Sequence, residues 1–373
     1  MGTLSAWVRT SRNCCISREY RAVAGESTAD RIGLRTPPRR AKSRRVFRVG
    51  TVRATALHRA ACLTAVATFI LLFVGGLVTS TGSGLAVPDW PLSFGQVFPA
   101  MVGGVLFEHG HRLMASFVGL LTLGLALWVV VVERRPAVRA LALAALFAVI
   151  LQGVLGGVTV LYKLPLGVSV THACLAQVFF CLTVALAQVT APWWLTAAPR
   201  IPGTTTRSIA LLATATVFLQ LVLGALMRHM GAGLSIPDFP LAFGRLVPPL
   251  ATPHIAVHFA HRMGALLVAT VVLVMVGRVY RAHASEPALT RPARLVSVLL
   301  VLQITLGGLT VLSRRAVVPT TTHLVVGAAL LATCLVLTLR AARLTLRHPE
   351  LSPSAETPAP VSRPARALEE VGL

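Results

Sequence analysis

The chain has 373 residues, 55% of them apolar and only 13% charged, yet its formal net charge is +23. Apolar stretches of about 20 residues recur along it, the length that crosses a bilayer core of roughly 30 Å, which excludes an ordinary soluble domain. The excess of Arg lies in an N-terminal arm and in short loops, so it reads as membrane topology and no nucleic-acid partner is expected.

Residues 1–56 are Arg-rich, contain Pro37-Pro38 and RRAKSRR, and lack a long apolar run. They are expected to form a disordered arm, a transit-like peptide or a translated leader. Eight apolar stretches follow, at about 58–80, 109–132, 137–160, 170–194, 208–228, 256–278, 294–313 and 319–341. The tail at 346–373, with PSAETPAP, is expected to be disordered. The predicted fold class is an all-α polytopic membrane protein of eight transmembrane helices. Residues 57–200 and 201–345 would form two tandem four-helix bundles related by a pseudo-twofold along the membrane normal.

Orientation follows from the basic loops. Arg134, Arg135, Arg200, Arg207, Arg278 and Arg281 lie in loops on one side, whereas the long first loop has no Lys or Arg before Arg112. Both termini are therefore expected in the cytoplasm, in the inner membrane of a bacterial cell, or in the mitochondrial inner membrane of a eukaryote. Cys14 and Cys15 fall in the arm and Cys62, Cys174, Cys181 and Cys334 in spans, so no structural disulfide is expected.

The two bundles are copies of one module. TGSGLAVPDWPLSFGQVFP from Thr81 returns as GAGLSIPDFPLAFGRLVPP from Gly231. His111-Arg112 returns as His261-Arg262, LGGxTVL at Leu155–Leu161 returns at Leu306–Leu312, and Thr171-His172 returns as Thr322-His323. The offset stays near 150 residues. Ionisable groups at membrane depth are costly and usually functional. The four histidines each lie near the start of an even-numbered span, so His111 can face His172 and His261 can face His323 across a bundle. Opposed imidazoles in a four-helix bundle are the geometry of bis-histidine haem ligation. The alternative, interfacial side chains bonded to neighbouring helices, suits a lone His better than four at matching positions. Zinc wants four ligands, commonly with thiolate or carboxylate, and each half offers only two well-placed His.

Arg112 and Arg262 oppose both the helix dipole and the positive-inside bias, so an anion should compensate. Haem propionates would do so, and a lipid phosphate is the plainer choice. The halves differ at one position: Glu108 precedes His111 by three residues, where His258 precedes His261. That spacing puts Glu108 on the face of His111, with plain helix capping as the competing role. A carboxylate in one half alone suggests a reactive first module and an electron-transfer or structural second one. Asp89 and Asp238 read as turn chemistry, Gly156-Gly157 and Gly307-Gly308 as close helix approach, and Gln152 and Gln303 as packing.

Eight spans in two repeats, with GSGLAVPDWP, ExxHR at Glu108–Arg112, LGGVTV and THACLA, resemble the haem A synthase family of cytochrome oxidase assembly over about residues 58–342. The resemblance implies an oxidoreductase that converts the C8 methyl of haem O to a formyl group, giving haem A for terminal oxidases. It further implies His111 and His172 flanking substrate haem O in the first half, and Glu108 as the essential catalytic carboxylate. His261 and His323 would be axial ligands of a haem b cofactor in the second half. Expected partners are haem O, haem O synthase as its source, membrane lipid, an electron-transfer partner and further copies of the chain. Many bacterial members carry a cysteine pair in the first outward loop, and residues 81–107 contain none, so a redox role for such a disulfide does not transfer. The rivals are a bis-histidine di-haem electron-transfer cytochrome and a transporter. The cytochrome gives no reason for Glu108 in one half only. The transporter would place polar groups at mid-membrane.

Overall fold

The computed structural model describes residues 40–346, with side chains from residue 55 onward. The chain divides into two units, Met1–Arg48 and Val49–Leu373. In the first, residues 40–48 are helical and the remainder lies outside the described residues, as do Cys14, Cys15 and the tail from 347. The second carries eight helices long and apolar enough to cross a membrane, with mean hydropathy of 1.9–2.4 over their most apolar windows. The chain is thus an all-helical, multi-pass membrane protein. Among the described residues, extended pairing is limited to three isolated bridges.

The helices are α1 (Arg40–Ser80), α2 (Gly104–Val132), α3 (Pro136–Leu161), α4 (Leu166–Thr190), α5 (Pro192–Thr196), α6 (Thr205–His229), α7 (Pro253–His283), α8 (Pro287–Leu312) and α9 (Val317–Leu344). Most run further than the apolar stretches, because polar first turns such as Pro136, Pro253 and Pro287 start them. Proline suits a first turn, where its missing N–H would have no intrahelical partner. Two expectations shift. Residues 40–56, expected to be disordered, are helical. The fourth span stops at Thr190 instead of running to 194, because Pro192 cannot continue the ladder and Ala191 turns extended before the short α5.

In the second half α6 packs on α7, α7 on α8, α8 on α9, and α9 returns to α6, closing a four-helix ring. In the first half α2 packs on α3 and α3 on α4, while Leu57 and Ala61 of α1 share one apolar core with Val118 of α2 and Leu186 of α4. The halves meet through α4, which touches α6 and α9, and through Phe69 of α1 and Phe180 of α4, whose rings lie 5.7 Å apart beside Ala328 and Ala332 of α9. Burial is uneven. The apolar window of α9 is 61% buried, against 33% for α4, its counterpart by repeat. Elsewhere Leu120, Phe147, Leu219 and Val298 point outward, as lipid-facing side chains do.

Short turns set the ends. Lys163 and Leu164 after α3, and Arg314 and Arg315 after α8, adopt positive φ. In each case the second donates its N–H to a carbonyl five residues back, Leu164 to Thr159 at 2.7 Å and Arg315 to Thr310 at 2.8 Å. This closes the helix and reverses the chain in a few residues. Leu164 packs by Gly84 and Arg315 by Gly233, so these turns and the long loops 81–103 and 230–252 share one end of the molecule. At the opposite end Arg340 and Arg343 stack on Trp193 and Trp194 at 5.4 and 5.8 Å.

Candidate functional site: paired imidazoles beneath two stapled loops

All four repeat-matched histidines lie at the loop end, each seated against a glycine of the preceding span. A Cβ on Gly75 of α1 would stand 3.0 Å from His111 Cε1, and one on Gly224 of α6 would stand 3.0 Å from His261 Cε1. Gly156 and Gly307 seat His172 and His323 in the same way, at 3.4 and 3.2 Å. A side chain at Gly75, Gly224 or Gly307 would crowd its ring, whereas Gly156 leaves ordinary contact distance. The second glycine of each pair takes a loop ring instead: a Cβ on Gly157 would fall 2.6 Å from Trp90 Cδ2, and one on Gly308 would fall 2.8 Å from Phe239 Cε1. The Gly-Gly pairs thus join imidazole, helix and loop, a role finer than close helix approach.

The imidazoles associate in pairs. His111 lies within electrostatic reach of His172, and His323 of His261. Among the described residues no three His, Cys, Asp or Glu side chains converge as a metal-binding cluster. Two nitrogens per site are what a porphyrin iron lacks, since the macrocycle supplies the other four.

Second contacts separate the halves. His323 donates Nδ1–H to the carbonyl of Gln303 at 3.1 Å, which leaves Nε2 with its lone pair facing the Gln303 amide at 3.4 Å. The Gln220 amide nitrogen lies 3.1 Å from His261 Nδ1 and donates to the His261 carbonyl at 2.7 Å. In the first half His111 Nδ1 is buried without a partner, His172 faces the Gln152 carbonyl as His323 faces that of Gln303, and Gln152 donates to the His172 carbonyl at 3.0 Å. Such outer contacts fix ring orientation and tautomer in metal-ligating histidines. The second pair has a glutamine amide beside each ring, whereas in the first Gln152 meets only the His172 backbone.

Above the imidazoles the long loops are built alike. The Asp89 carboxylate accepts from Phe94 and Gly95 N–H at 2.7 and 2.9 Å, and Asp238 accepts from Phe243 and Gly244 at 2.7 and 2.8 Å. Phe94-Gly95 and Phe243-Gly244 have successive positive φ, closing tight hairpin turns. The two N–H groups, Gly95 first and then Phe94, hold the Asp89 carboxyl below its ordinary value, and Gly244 and Phe243 do the same for Asp238.

The structure places Arg112 and Arg262 in these loops. Arg112 Nη1 donates to the carbonyls of Asp89 and Leu92, both at 2.8 Å, and Nη2 donates to Glu108 Oε1 at 2.7 Å. Arg262 donates to Leu241, Asp238 and Ile236 carbonyls at 2.7, 2.7 and 3.2 Å and lies over the Phe239 ring. Loop carbonyls thus partner both guanidinium groups, with Glu108 added for Arg112. Glu108 is only 4% exposed, and its Oε2 accepts from Val87 N–H at 2.8 Å. His258 does the same work opposite, accepting from Ile236 N–H at 3.2 Å. Both residues staple a loop to a helix, but only Glu108 brings a negative charge. Sequence reasoning missed the seats Gly75 and Gly224, the Gln220 contact, and His109, which shares a hydrogen bond with Ser93 Oγ at 2.8 Å.

Residues 102–335 match the family model COX15-CtaA, described as cytochrome oxidase assembly protein. The chain is 35% identical over 211 residues to a heme A synthase of Symbiobacterium thermophilum, covering 53% of this chain and 67% of the relative. It is 29% identical over 232 residues to one of Shouchella clausii (59% and 74% covered) and 30% identical over 225 residues to one of Halalkalibacterium halodurans (57% and 73%). With eight spans, duplicated imidazole seats and a family match over most of its membrane region, the chain belongs to the COX15-CtaA family of cytochrome oxidase assembly proteins.

Proposed function

We propose that this chain carries out haem A synthesis, as an oxidoreductase of the cytoplasmic membrane that converts the C8 methyl of haem O to a formyl group. The observation that supports it best is the division between two otherwise matched sites. In the second half glutamine amides reach ring nitrogens of both histidines, whereas in the first Gln152 meets only the His172 backbone and a buried carboxylate, Glu108, stands nearby. A resident haem b suits His261 and His323, whose ring positions are already set. An exchangeable substrate suits His111 and His172. The donor chemistry fits, since paired buried imidazoles can serve as axial ligands and, among the described residues, no thiolate or carboxylate cluster stands beside them. The loop end faces away from the cytoplasm in this reading, by the positive-inside rule.

Haem iron, when bound, supplies one-electron redox chemistry that side chains lack. The chain's own contribution is positional. The glycine seats set the depth of each ring, and the stapled loops cover the pocket mouth. Glu108 lies three residues before His111, on the same helix face and one turn nearer the loop. Methyl to aldehyde takes two two-electron oxidations, each adding the oxygen of a water and releasing two protons while two electrons pass to an external acceptor; the alcohol forms first, and the hydrated aldehyde then loses water. Glu108 is the group placed to accept a proton: Arg112 retains its loop carbonyls if Oε1 turns toward substrate.

The deciding experiment is expression with haem O supplied, purification, and acid-acetone extraction of the pigments. Haem A in the extract supports the assignment. Unaltered haem O beside haem b would identify an electron-transfer cytochrome instead.

A further inference from the structure

The second half carries cations at the pocket rim that the first half lacks. Arg228 lies on α6 four residues beyond Gly224, so it shares the face on which Gly224 seats His261 and stands one turn closer to the loop end. Its first-half counterpart is Thr79, four residues beyond Gly75, whose hydroxyl merely donates to the Gly75 carbonyl at 3.2 Å. Arg315, in the α8–α9 turn, stands where the first half has Leu164, and its side chain lies along Gly233, with Cδ 3.6 Å from the site of a Cβ there. Arg228 lies within electrostatic reach of Arg315, of His323 and of its neighbour His229, which in turn lies within reach of His172.

Neither arginine has an anionic partner. The ion pairs among the described residues are Arg112–Glu108, Arg135–Glu133 and Arg200–Glu286. Arg228 Nη2 donates to Ser80 Oγ at 2.7 Å, and Thr321 Oγ1 donates to the same oxygen at 2.9 Å, which pins the guanidinium at the junction of α1, α6 and α9. Its Nε is buried with no partner at all. A helix C-terminus favours a cation, but that leaves the empty donor unexplained. Two guanidinium groups set close together repel each other, and an anion bridging them removes the cost. Charge also divides the halves. Glu108 forms an ion pair with Arg112, whereas Arg262 bonds to carbonyls, lies over the Phe239 ring and feels the Asp238 carboxylate only at longer range.

We propose that Arg228 and Arg315 form a carboxylate clamp that takes the propionates of the haem resident in the second half, and that its absence from the first half lets the substrate leave. This inference rests on the reading that His261 and His323 hold that haem. Iron at the imidazoles and carboxylates at the rim would fix a porphyrin at two ends, and fork-shaped guanidinium groups match carboxylates well.

The test reads haem retention, not turnover. The full chain, in a His111→Ala background that disables the first pair, is reconstituted with iron protoporphyrin IX or with its dimethyl ester, in which both carboxylates are masked. Transfer to excess apomyoglobin is followed by visible absorbance. The free acid is expected to be held about ten- to a hundredfold longer than the ester, the range of one or two charge-assisted hydrogen bonds. Arg228→Gln with Arg315→Gln should erase that difference, and Arg228→Lys should keep part of it. Equal retention of acid and ester before any arginine is changed overturns the proposal without relying on a variant to fold. So does a difference that survives the double substitution, or retention that follows anionic lipid content and ignores the ester, which would make the clamp a lipid phosphate site. The underlying reading fails separately, if His261→Ala keeps its b-type spectrum.

Discussion

The two halves share a plan and differ in how tightly they hold it. Each seats two imidazoles on glycines, staples a hairpin loop with an aspartate, and ties an arginine into that loop. Only the second brings glutamine amides, of Gln220 and Gln303, to the ring nitrogens of both histidines and buries most of its last helix. Only the first adds a buried carboxylate. The proposed division of labour rests on these few polar differences between otherwise matched halves: one copy would grip its haem and the other would let it exchange.

The sharpest way to break this comparison is to remove ligands from one half at a time. His261→Ala or His323→Ala should abolish b-type absorbance in the purified protein, whereas His111→Ala or His172→Ala should leave most of it. A visible spectrum after size-exclusion chromatography decides. Next is Glu108→Gln, which keeps the acceptor for Val87 N–H but removes the charge. Haem binding should persist while haem A output falls about a hundredfold or more, and His258→Gln should change output little. Full output from Glu108→Gln would remove the carboxylate from the chemistry. Smaller again is Gly157→Ala, whose Cβ meets Trp90, or Gly308→Ala, whose Cβ meets Phe239. Each should cost about 1–3 kcal/mol by overpacking, seen as a lower unfolding midpoint in detergent.

The smallest effect concerns pH. Because Asp89 and Asp238 have depressed folded values, their contribution is complete above the ordinary carboxylate value of about 3.9 and fades as pH falls through the lower folded value. Amide exchange at Phe94, Gly95, Phe243 and Gly244 should therefore stay slow at neutral pH and rise only in strong acid. Asp89→Asn should speed it at neutral pH in the first loop alone.

Much of this was legible because hydrophobic length and repetition are one-dimensional signals. The spans, the imidazole pairs and the aspartate turns follow from residue order. The break at Pro192 was equally readable, but the apolar Trp193-Trp194-Leu195 run beyond it masked a loop residue that ends a helix. What a long side chain reaches is not written in order. Charge balance says only that Arg112 and Arg262 want negative partners, and not that carbonyls some 20 residues upstream are among them. Gly75 and Gly224 look like any glycine in an apolar span, and their importance appears only once a ring is found against them. Gln220 has Leu71 as its repeat counterpart, so the comparison of copies that revealed the histidines passes over it.

The glycine seats have a practical consequence for anyone dissecting such sites. A histidine pressed on bare backbone leaves, when cut back, a slot shaped for a five-membered heterocycle. Free imidazole in the buffer should slip into that slot and restore colour to a His261→Gly protein. Chemical complementation would then separate the loss of a ligand from the loss of the fold.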